Sequence, residues 1–428
     1  MLSVSKSRKR PGSLVLWLVA VLLLSFSLTP VAWATTTSNL PSSTTTVLPD
    51  ASSPSSGTQS DPLAPTSQTP ATSPPHSQAA AAILIDMGSG AVLYAKNADV
   101  RRAMASTTKI MTCLLVLDTL PLNRVVTASE RAAATGEEAL RLKAGDQLTV
   151  EQLLYALMVK SANDAAVDLA EACSGTEEAF VAQMNAKAHE LGLTNTQYTS
   201  AHGLDAPGHY SSARDLATLA RVAMGNAEFR KLVGTVSYTL SLPNRPTPLT
   251  FGNVNKLVGT VPWVTGIKTG FTDNAGFCLV GSGGKGGVSL ISVVLGEPSW
   301  APCWADTKAL FQYGFNRYQP LVLTQQSVPV ADMPVPYHLG LRLQLVTETA
   351  LQATILKGDK VESQVVVDKQ LRLPVQAGEV FGRVQYSESG QALGSVNLVA
   401  ARSIARITLG TKLVYFWHRF TGWLGRVL

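Results

Sequence analysis

A long segment near the start of this chain cannot build a hydrophobic core. Residues 35–78 are mainly serine, threonine and proline, and their only charged side chains are Asp50 and Asp61. Such a segment has too few apolar groups to offset the conformational entropy that ordering costs. We therefore predict a disordered linker over residues 35–79, so that the folded part of this 428-residue chain begins near Ala80.

The residues before the linker have the parts of an export signal. Lys6, Arg8, Lys9 and Arg10 precede an apolar run over residues 14–28, and small residues flank Trp33. This order predicts a secretory signal peptide over residues 1–34. An uncleaved membrane anchor is the alternative, because the apolar segment is nearly long enough to span a bilayer. Either interpretation places the rest of the chain outside the cytoplasm.

The composition bounds both the architecture and the partners. The formal net charge is +6, but it falls to +2 without the four basic residues of the leader. Binding to nucleic acid requires a strongly basic surface, so we exclude nucleic acid as a partner. The hydrophobic share of 46% allows two domains that each bury a core.

Ser106 and Lys109 form a pair that can carry chemistry. A predicted helix over residues 103–117 places them three residues apart on one face, among apolar neighbours. A serine hydroxyl needs a base to become a nucleophile, and a lysine whose pKa is lowered by burial can serve as that base. The same Ser-x-x-Lys spacing also occurs at residues 3–6 and 282–285, so alone it is better explained by an ordinary helix surface pair.

Two further motifs follow in order along the chain. Ser161 and Asn163 lie in a predicted loop between two helices, the first of which begins with a capping-box sequence at residues 149–152. Lys268, Thr269 and Gly270 lie on a predicted strand before two further strands joined by short turns. An edge strand there would let an extended peptide lie alongside it.

The three motifs together match the set found in penicillin-binding proteins and serine β-lactamases. The segments at residues 191–193, 201–205, 210–215 and 266–270 narrow the match, and the chain resembles the serine-type D-alanyl-D-alanine carboxypeptidases over roughly residues 80–400. The resemblance implies an α+β fold. It consists of a transpeptidase/β-lactamase-like catalytic domain over residues 80–320, with an antiparallel sheet flanked by helices, and a small β domain over residues 321–400.

The resemblance also implies a mechanism of acyl transfer on a peptidoglycan stem pentapeptide. Ser106 would attack the carbonyl of the penultimate D-alanine, Lys109 would take its proton, and β-lactam antibiotics would acylate the same serine. The remaining implied roles are proton relay for Ser161 and Lys268, and substrate binding for Asn163, Lys268, Thr269 and Gly270. No metal or organic cofactor is required. His202 is interpreted as structural, because a lysine already supplies the base.

Two departures from the family leave alternatives open. Many relatives have histidine where this chain has Phe271, and relatives commonly have arginine at the position of Cys303. Loss of an arginine near a carboxylate site weakens the case for a carboxypeptidase over a D,D-endopeptidase. A serine β-lactamase is another alternative, although residues 190–195 fit its deacylating Glu-x-x-Leu-Asn motif only with one extra residue. An inactive wall-binding scaffold is disfavoured, because it would not need the intact motifs.

The last residues differ in composition from the rest of the chain. Residues 401–428 contain five basic residues, no acidic residue, and apolar and aromatic side chains at helical spacing. The basic residues are Arg402, Arg406, Lys412, Arg419 and Arg426. This pattern predicts an amphipathic helix bound to the outer face of the cytoplasmic membrane. The alternative is a helix packed on the β domain with its basic face in solvent.

Overall fold

The computed structural model describes residues 73–242 and 246–427, with the backbone alone at residues 425 and 427. The predicted signal peptide and most of the predicted linker lie outside these residues. The folded part begins a few residues before the predicted start near Ala80, because Ser77 and Ala79 are already buried. Their segment is fixed by Lys96 Nζ, which donates to Ser77 O at 2.7 Å, and by the backbone N–H of Gln78, which donates to Asp306 Oδ2 at 2.6 Å.

A five-stranded antiparallel sheet forms the centre of the first domain. Its strands are β1 Ala81–Asp86, β2 Val92–Lys96, β7 Val264–Thr272, β8 Gly276–Lys285 and β9 Val288–Glu297, in the order β2-β1-β9-β8-β7. The predicted hairpin at Gly88–Gly90 joins β1 to β2. The predicted glycine turn joins β8 to β9, where Gly286 and Gly287 both have positive φ, as a two-residue type I′ turn requires.

Helices cover both faces of this sheet. They are α1 Lys109–Thr119, α2 Glu130–Ala134, α3 Val150–Tyr155, α4 Asn163–Ser174, α5 Glu177–Glu190, α6 Ala213–Ala223, α7 Ala227–Val233 and α8 Trp300–Arg317. Two small two-stranded antiparallel sheets accompany them, β3 Val125–Thr127 with β4 Gln147–Thr149 and β5 Ser237–Leu240 with β6 Leu249–Gly252. One apolar core packs α1 and α3–α7 on the sheet, and a second packs α8 on the opposite face. The predicted fold class is confirmed.

The chain around the predicted loop at residues 161–163 differs from expectation. The capping box is present, since Thr149 Oγ1 accepts from Gln152 N at 3.2 Å and Gln152 Oε1 accepts from Thr149 N at 2.8 Å. Helix α3 then ends in a π-helical turn, Ala156–Lys160, which is followed by Ser161 with φ of 71°. Helix α4 begins at Asn163, so this residue opens a helix and does not lie in the loop.

A second β-rich region with its own core follows α8. Strands β10 Tyr318–Thr324 and β13 Leu351–Leu356 form one pair. Strands β11 Pro329–Pro334, β12 Arg342–Thr347, β14 Val361–Val367, β15 Val380–Glu388 and β16 Gln391–Ala400 form a five-stranded sheet. Ile404 belongs to this core and pairs with Val375, so the β region continues beyond the predicted boundary at residue 400.

Helix α9, Leu409–Val427, ends the described chain. Its apolar side chains remain in solvent, with exposed fractions of 81% for Leu409, 65% for Trp417 and 59% for Trp423. In the part of the chain that the structure describes, no helix combines the length and hydropathy needed to cross a membrane.

Candidate active site

Ser106 lies in a tight turn at the start of α1. Residues Ala105–Thr108 form one 3₁₀ turn. The α-helix that was predicted to begin at residue 103 begins after this turn, at Lys109. In a 3₁₀ turn the side chains at i and i+3 eclipse one another. This geometry brings Nζ of Lys109 to 2.8 Å from Oγ of Ser106. The predicted pairing of the hydroxyl and the amine is therefore present.

Lys109 is fully buried, and its amine has three oxygen neighbours. Besides Ser106 Oγ, Nζ lies 2.7 Å from Asn163 Oδ1 and 2.7 Å from the carbonyl oxygen of His202. Burial lowers the pKa of Lys109 well below its ordinary value, and the charge of Lys268 lowers it further. A neutral amine has two N–H groups and one lone pair. The two carbonyl oxygens can only accept, so in the neutral form of the amine the lone pair faces the hydroxyl of Ser106.

Ser161 and Lys268 form a second bonded pair. Lys268 Nζ donates to Ser161 Oγ at 2.9 Å and to Thr269 O at 2.9 Å. Burial lowers the pKa of Lys268 to about 7, so this amine can give or take a proton near neutral pH. The left-handed backbone of Ser161, set by the π-helical turn before it, presents the hydroxyl to Lys268.

Gly270 allows the edge strand β7 to approach the Ser106 turn. A Cβ at this position would lie 2.9 Å from Ser106 N, closer than real Cβ contacts allow, and 3.1 Å from Met104 O. Among the strands that the structure describes, β7 pairs with β8 alone and is the last in the sheet order. The other edge of β7 therefore lies beside Ser106, and its backbone N–H and C=O groups can pair with an extended substrate.

The structure brings the predicted site residues into two bonded groups. Ser106, Lys109 and Asn163 form the first, and Ser161, Lys268 and Thr269 form the second. The implied substrate-binding role of Asn163 stays a prediction, and both ends of its amide contact the protein. Its Oδ1 lies against Lys109, and its Nδ2 donates to Gly136 O at 3.1 Å. The amide positions the lysine directly.

The ring of His202 takes no part in the bonded groups, in agreement with its structural interpretation. Burial lowers the pKa of His202 to about 3, so the imidazole is neutral, and Nε2 lies 3.6 Å from Glu177 Oε1. Its carbonyl oxygen, by contrast, contacts Lys109. Glu177 in turn accepts from the backbone N–H of Ala201 at 3.0 Å and holds this segment against the start of α5. The sequence analysis missed Glu177, which has no local motif.

The two departures from the family lie on the α8 side of β7. Cys303 belongs to α8 and is fully buried in the apolar core that this helix forms with the sheet. Phe271 is 47% exposed, and its ring centroid lies 4.4 Å from that of Phe277. The row of aromatic rings continues to Trp300 at 4.8 Å and from there to Trp304 at 4.9 Å. The first two turns of α8, residues 300–307, contain no lysine or arginine.

Comparison with known proteins agrees with this geometry. Residues 68–299 match the family model described as D-alanyl-D-alanine carboxypeptidase, and residues 318–406 match the C-terminal domain of penicillin-binding protein 5. D-alanyl-D-alanine carboxypeptidase DacF of Bacillus subtilis is 32% identical over 80% of this chain and 91% of its own length. DacA of Escherichia coli is 33% identical over 82% of this chain and 90% of its own length.

Solved structures show the same relationship. Penicillin-binding protein 5 of Haemophilus influenzae superposes with a TM-score of 0.68 at 32% identity, covering 78% of this chain and 99% of that one. The DD-transpeptidase of Streptomyces K15 gives a TM-score of 0.55 at 35% identity, covering 57% of this chain and 99% of that one. From these matches and the site geometry, the chain belongs to the serine D-alanyl-D-alanine carboxypeptidases, a family of low-molecular-mass penicillin-binding proteins.

Proposed function

We propose that this carboxypeptidase removes the terminal D-alanine from peptidoglycan stem pentapeptides through an acyl-enzyme on Ser106. The contact that carries the proposal is the 2.8 Å approach of Lys109 Nζ to Ser106 Oγ. The other two contacts of the amine are to carbonyl oxygens, which leave its lone pair for the serine proton. A buried amine of lowered pKa is a general base at neutral pH.

In the first half of the reaction, Lys109 takes the proton of Ser106 as Oγ attacks the carbonyl carbon of the penultimate D-alanine. The backbone N–H of Ser106, with one from β7, binds the negative oxygen that develops. Such preorganised donors are usually the largest single contribution to catalysis. Gly270 supports this assignment, since its missing side chain lets β7 lie beside Ser106 N.

In the second half, the pair of Ser161 and Lys268 delivers a proton to the nitrogen of the departing D-alanine. Its 2.9 Å contact and the lysine pKa of about 7 support this role. Thr269 and Gly270 bind the terminal carboxylate and the adjacent backbone. The proton that Lys109 took from Ser106 then passes to the Ser161–Lys268 pair and replaces the one delivered to D-alanine. Water attacks the acyl-enzyme, Lys109 takes its proton, and that proton returns to Oγ of Ser106 as the acyl group leaves. The same serine is the site at which β-lactam antibiotics attach.

Release of D-alanine tests the proposal directly. The mature protein is incubated with a stem pentapeptide ending in D-alanyl-D-alanine, and free D-alanine is measured. We expect stoichiometric conversion to the tetrapeptide and none with Ser106→Ala. A matched peptide ending in D-alanyl-L-alanine controls for stereochemistry. Absence of released D-alanine from a folded, penicillin-binding protein would contradict the proposal.

A D,D-endopeptidase is the second candidate, and the α8 side of the site favours it. Cys303 is buried, and the aromatic row beside Thr269 carries no positive charge of its own to meet a terminal carboxylate. A cross-linked stem-peptide dimer separates the two activities. Cleavage of the dimer at a rate comparable to that of the pentapeptide would assign the endopeptidase, and an intact dimer would exclude it.

We further propose that α9 holds the exported protein on the outer face of the cytoplasmic membrane. Leu413 is 70% and Phe416 58% exposed, and they share the helix with Lys412, Arg419 and Arg426. Contacts with the β domain are made near the start of the helix, where the rings of Tyr415 and Phe416 lie 5.7 Å and 6.2 Å from that of Tyr337. The remaining aromatic surface suits a lipid interface.

Cutting the chain after Arg406 is expected to abolish binding to anionic vesicles. This position keeps Ile404 in its pairing with Val375, so the β domain remains whole. Each basic residue near an anionic surface contributes about 1 kcal/mol, so the three in α9 alone account for about 100-fold in affinity. Co-sedimentation with vesicles that contain anionic lipid measures the effect. Equal binding by the truncated and full-length mature forms would show that α9 is not the anchor.

A further inference from the structure

The imidazole of His209 lies beneath the Ser106 turn and contacts none of the proposed catalytic groups directly. Its Nε2 lies 2.8 Å from Thr108 Oγ1, and its Nδ1 lies 3.0 Å from the backbone nitrogen of Thr199. The side chain is 6% exposed. A buried polar ring with both nitrogens engaged has a single arrangement of its protons, which can be worked out from its neighbours.

The backbone N–H of Thr199 can only donate, so Nδ1 of His209 accepts and the ring proton is on Nε2. Nε2–H therefore donates to Thr108 Oγ1. The hydroxyl of Thr108 in turn donates to the carbonyl oxygen of Ala105 at 2.8 Å. Burial lowers the pKa of His209 to about 4, which keeps this neutral tautomer at neutral pH. The result is a chain of two hydrogen bonds, in which His209 donates to Thr108 and Thr108 donates to Ala105.

The Ala105 carbonyl oxygen, at the end of these hydrogen bonds, shares a peptide group with the backbone N–H of Ser106. Ala105 O and Ser106 N–H belong to one planar trans peptide and point in opposite directions. Fixing the carbonyl oxygen therefore fixes the direction of the N–H group that the proposed mechanism uses for the oxyanion. Ala105 has φ of 50°, a conformation that costs a non-glycine residue free energy and needs support from its surroundings.

Gly203 shows how closely the neighbouring chain contacts this peptide. A Cβ on Gly203 would lie 2.1 Å from Ala105 O and 2.7 Å from Thr108 Oγ1. The carbonyl oxygen is therefore enclosed between the Thr108 hydroxyl and the Gly203 backbone. On the opposite side, Ser106 N faces Gly270 of β7.

We propose that His209 is a positioning residue for the oxyanion donor of Ser106, acting through the Thr108 hydroxyl and the Ala105 carbonyl. The inference rests on the proposed use of Ser106 as the nucleophile. It assigns to His209 an effect on the chemical step and not on substrate binding, because the ring lies behind the turn. A small misplacement of a reacting group can lower a rate by about 10²-fold.

The test separates binding from chemistry in acylation by a fluorescent penicillin. Rates over a range of penicillin concentrations give the rate constant at saturation and the apparent dissociation constant of the complex before acylation. For His209→Ala we expect the saturating rate constant to fall by about 10–100-fold. The apparent dissociation constant should stay within about twofold of the wild-type value. His209→Gln, whose side-chain N–H can reach Thr108 Oγ1, should recover most of the rate.

Two further variants identify the route of the effect. Thr108→Val removes the hydroxyl that links His209 to Ala105, so His209→Ala should add little to it, and the double variant should acylate no more slowly than Thr108→Val. Tyr198→Phe is the matched control, because its ring lies 6.0 Å from the His209 ring and its buried hydroxyl has no hydrogen-bond partner among the described residues. We expect this control to acylate at the wild-type rate.

Several results would overturn the proposal. One is a wild-type saturating rate constant in His209→Ala, and another is an effect of this variant on the apparent dissociation constant alone. A third is that the effects of His209→Ala and Thr108→Val on the rate constant add. The last is an equal loss of rate in folded His209→Ala and His209→Gln. If His209→Ala does not fold, the comparison of His209→Gln with Thr108→Val decides. Penicillin reports on Ser106 whatever the natural substrate is, so failure to release D-alanine would leave this test intact.

Discussion

Replacing Lys109 by alanine is expected to lower the rate of Ser106 acylation by penicillin by about 10²–10⁴-fold, the usual contribution of a general base. The reason is the geometry of its amine, which lies 2.8 Å from the serine hydroxyl. In the neutral form both N–H groups donate to carbonyl oxygens and the lone pair faces that hydroxyl. Acylation is measured with a fluorescent penicillin, and mass spectrometry of the labelled peptide identifies the residue that carries the adduct. Ser106→Ala should carry none.

The chain provides a matched control for this substitution. Lys285 has the same Ser-x-x-Lys relationship to Ser282 but is exposed beside the β8–β9 turn. Lys285→Ala should acylate at the wild-type rate. Thermal unfolding of each variant separates loss of chemistry from loss of fold. Near-normal acylation by a well-folded Lys109→Ala variant, or an adduct outside the Ser106 peptide, would remove this pair from the mechanism.

The sequence predicted local parts of the fold well because they depend on short-range chemistry. The glycine turns, the capping box at Thr149 and Gln152, and the strands β12 and β14 follow from turn residues and alternation of side chains. The sheet order does not. Strand β1 pairs with β9, for example Ile83 with Val293, across a separation that no local pattern encodes.

The candidate site shows the same division. The three motifs named the residues that can do chemistry, but they did not show that Asn163 Oδ1 contacts Lys109 or that a π-helical turn presents Ser161. His209 lies 101 residues from Thr108 and has a bond to it that only the folded chain reveals. Residues that position a site can be far from it in sequence, so no fixed sequence spacing identifies them.

Lys268 is expected to affect the pH dependence of acylation as well as its rate. Lys268→Ala should lower acylation by about 10²–10⁴-fold, because the variant lacks the proton donor bonded to Ser161. Its loss should also move the acidic limb of the pH profile. Acylation needs neutral Lys109, so the rate rises with pH through the pKa of that amine. The positive charge of Lys268 lowers this pKa, after the larger effect of burial.

Removing that charge raises the pKa of Lys109, so a higher pH is needed to obtain the neutral base. The acidic limb of Lys268→Ala should therefore shift to higher pH than in the wild type. Lys268 has a pKa of about 7 and is charged across the acidic range in which this limb is measured. Lys268→Arg is the matched control, since it keeps the charge but changes the donor geometry. Its rate should fall while its acidic limb stays near the wild-type position. A limb that stays in place in Lys268→Ala, or moves to lower pH, would show that the two lysines do not interact in this way and that burial alone sets the pKa of the base.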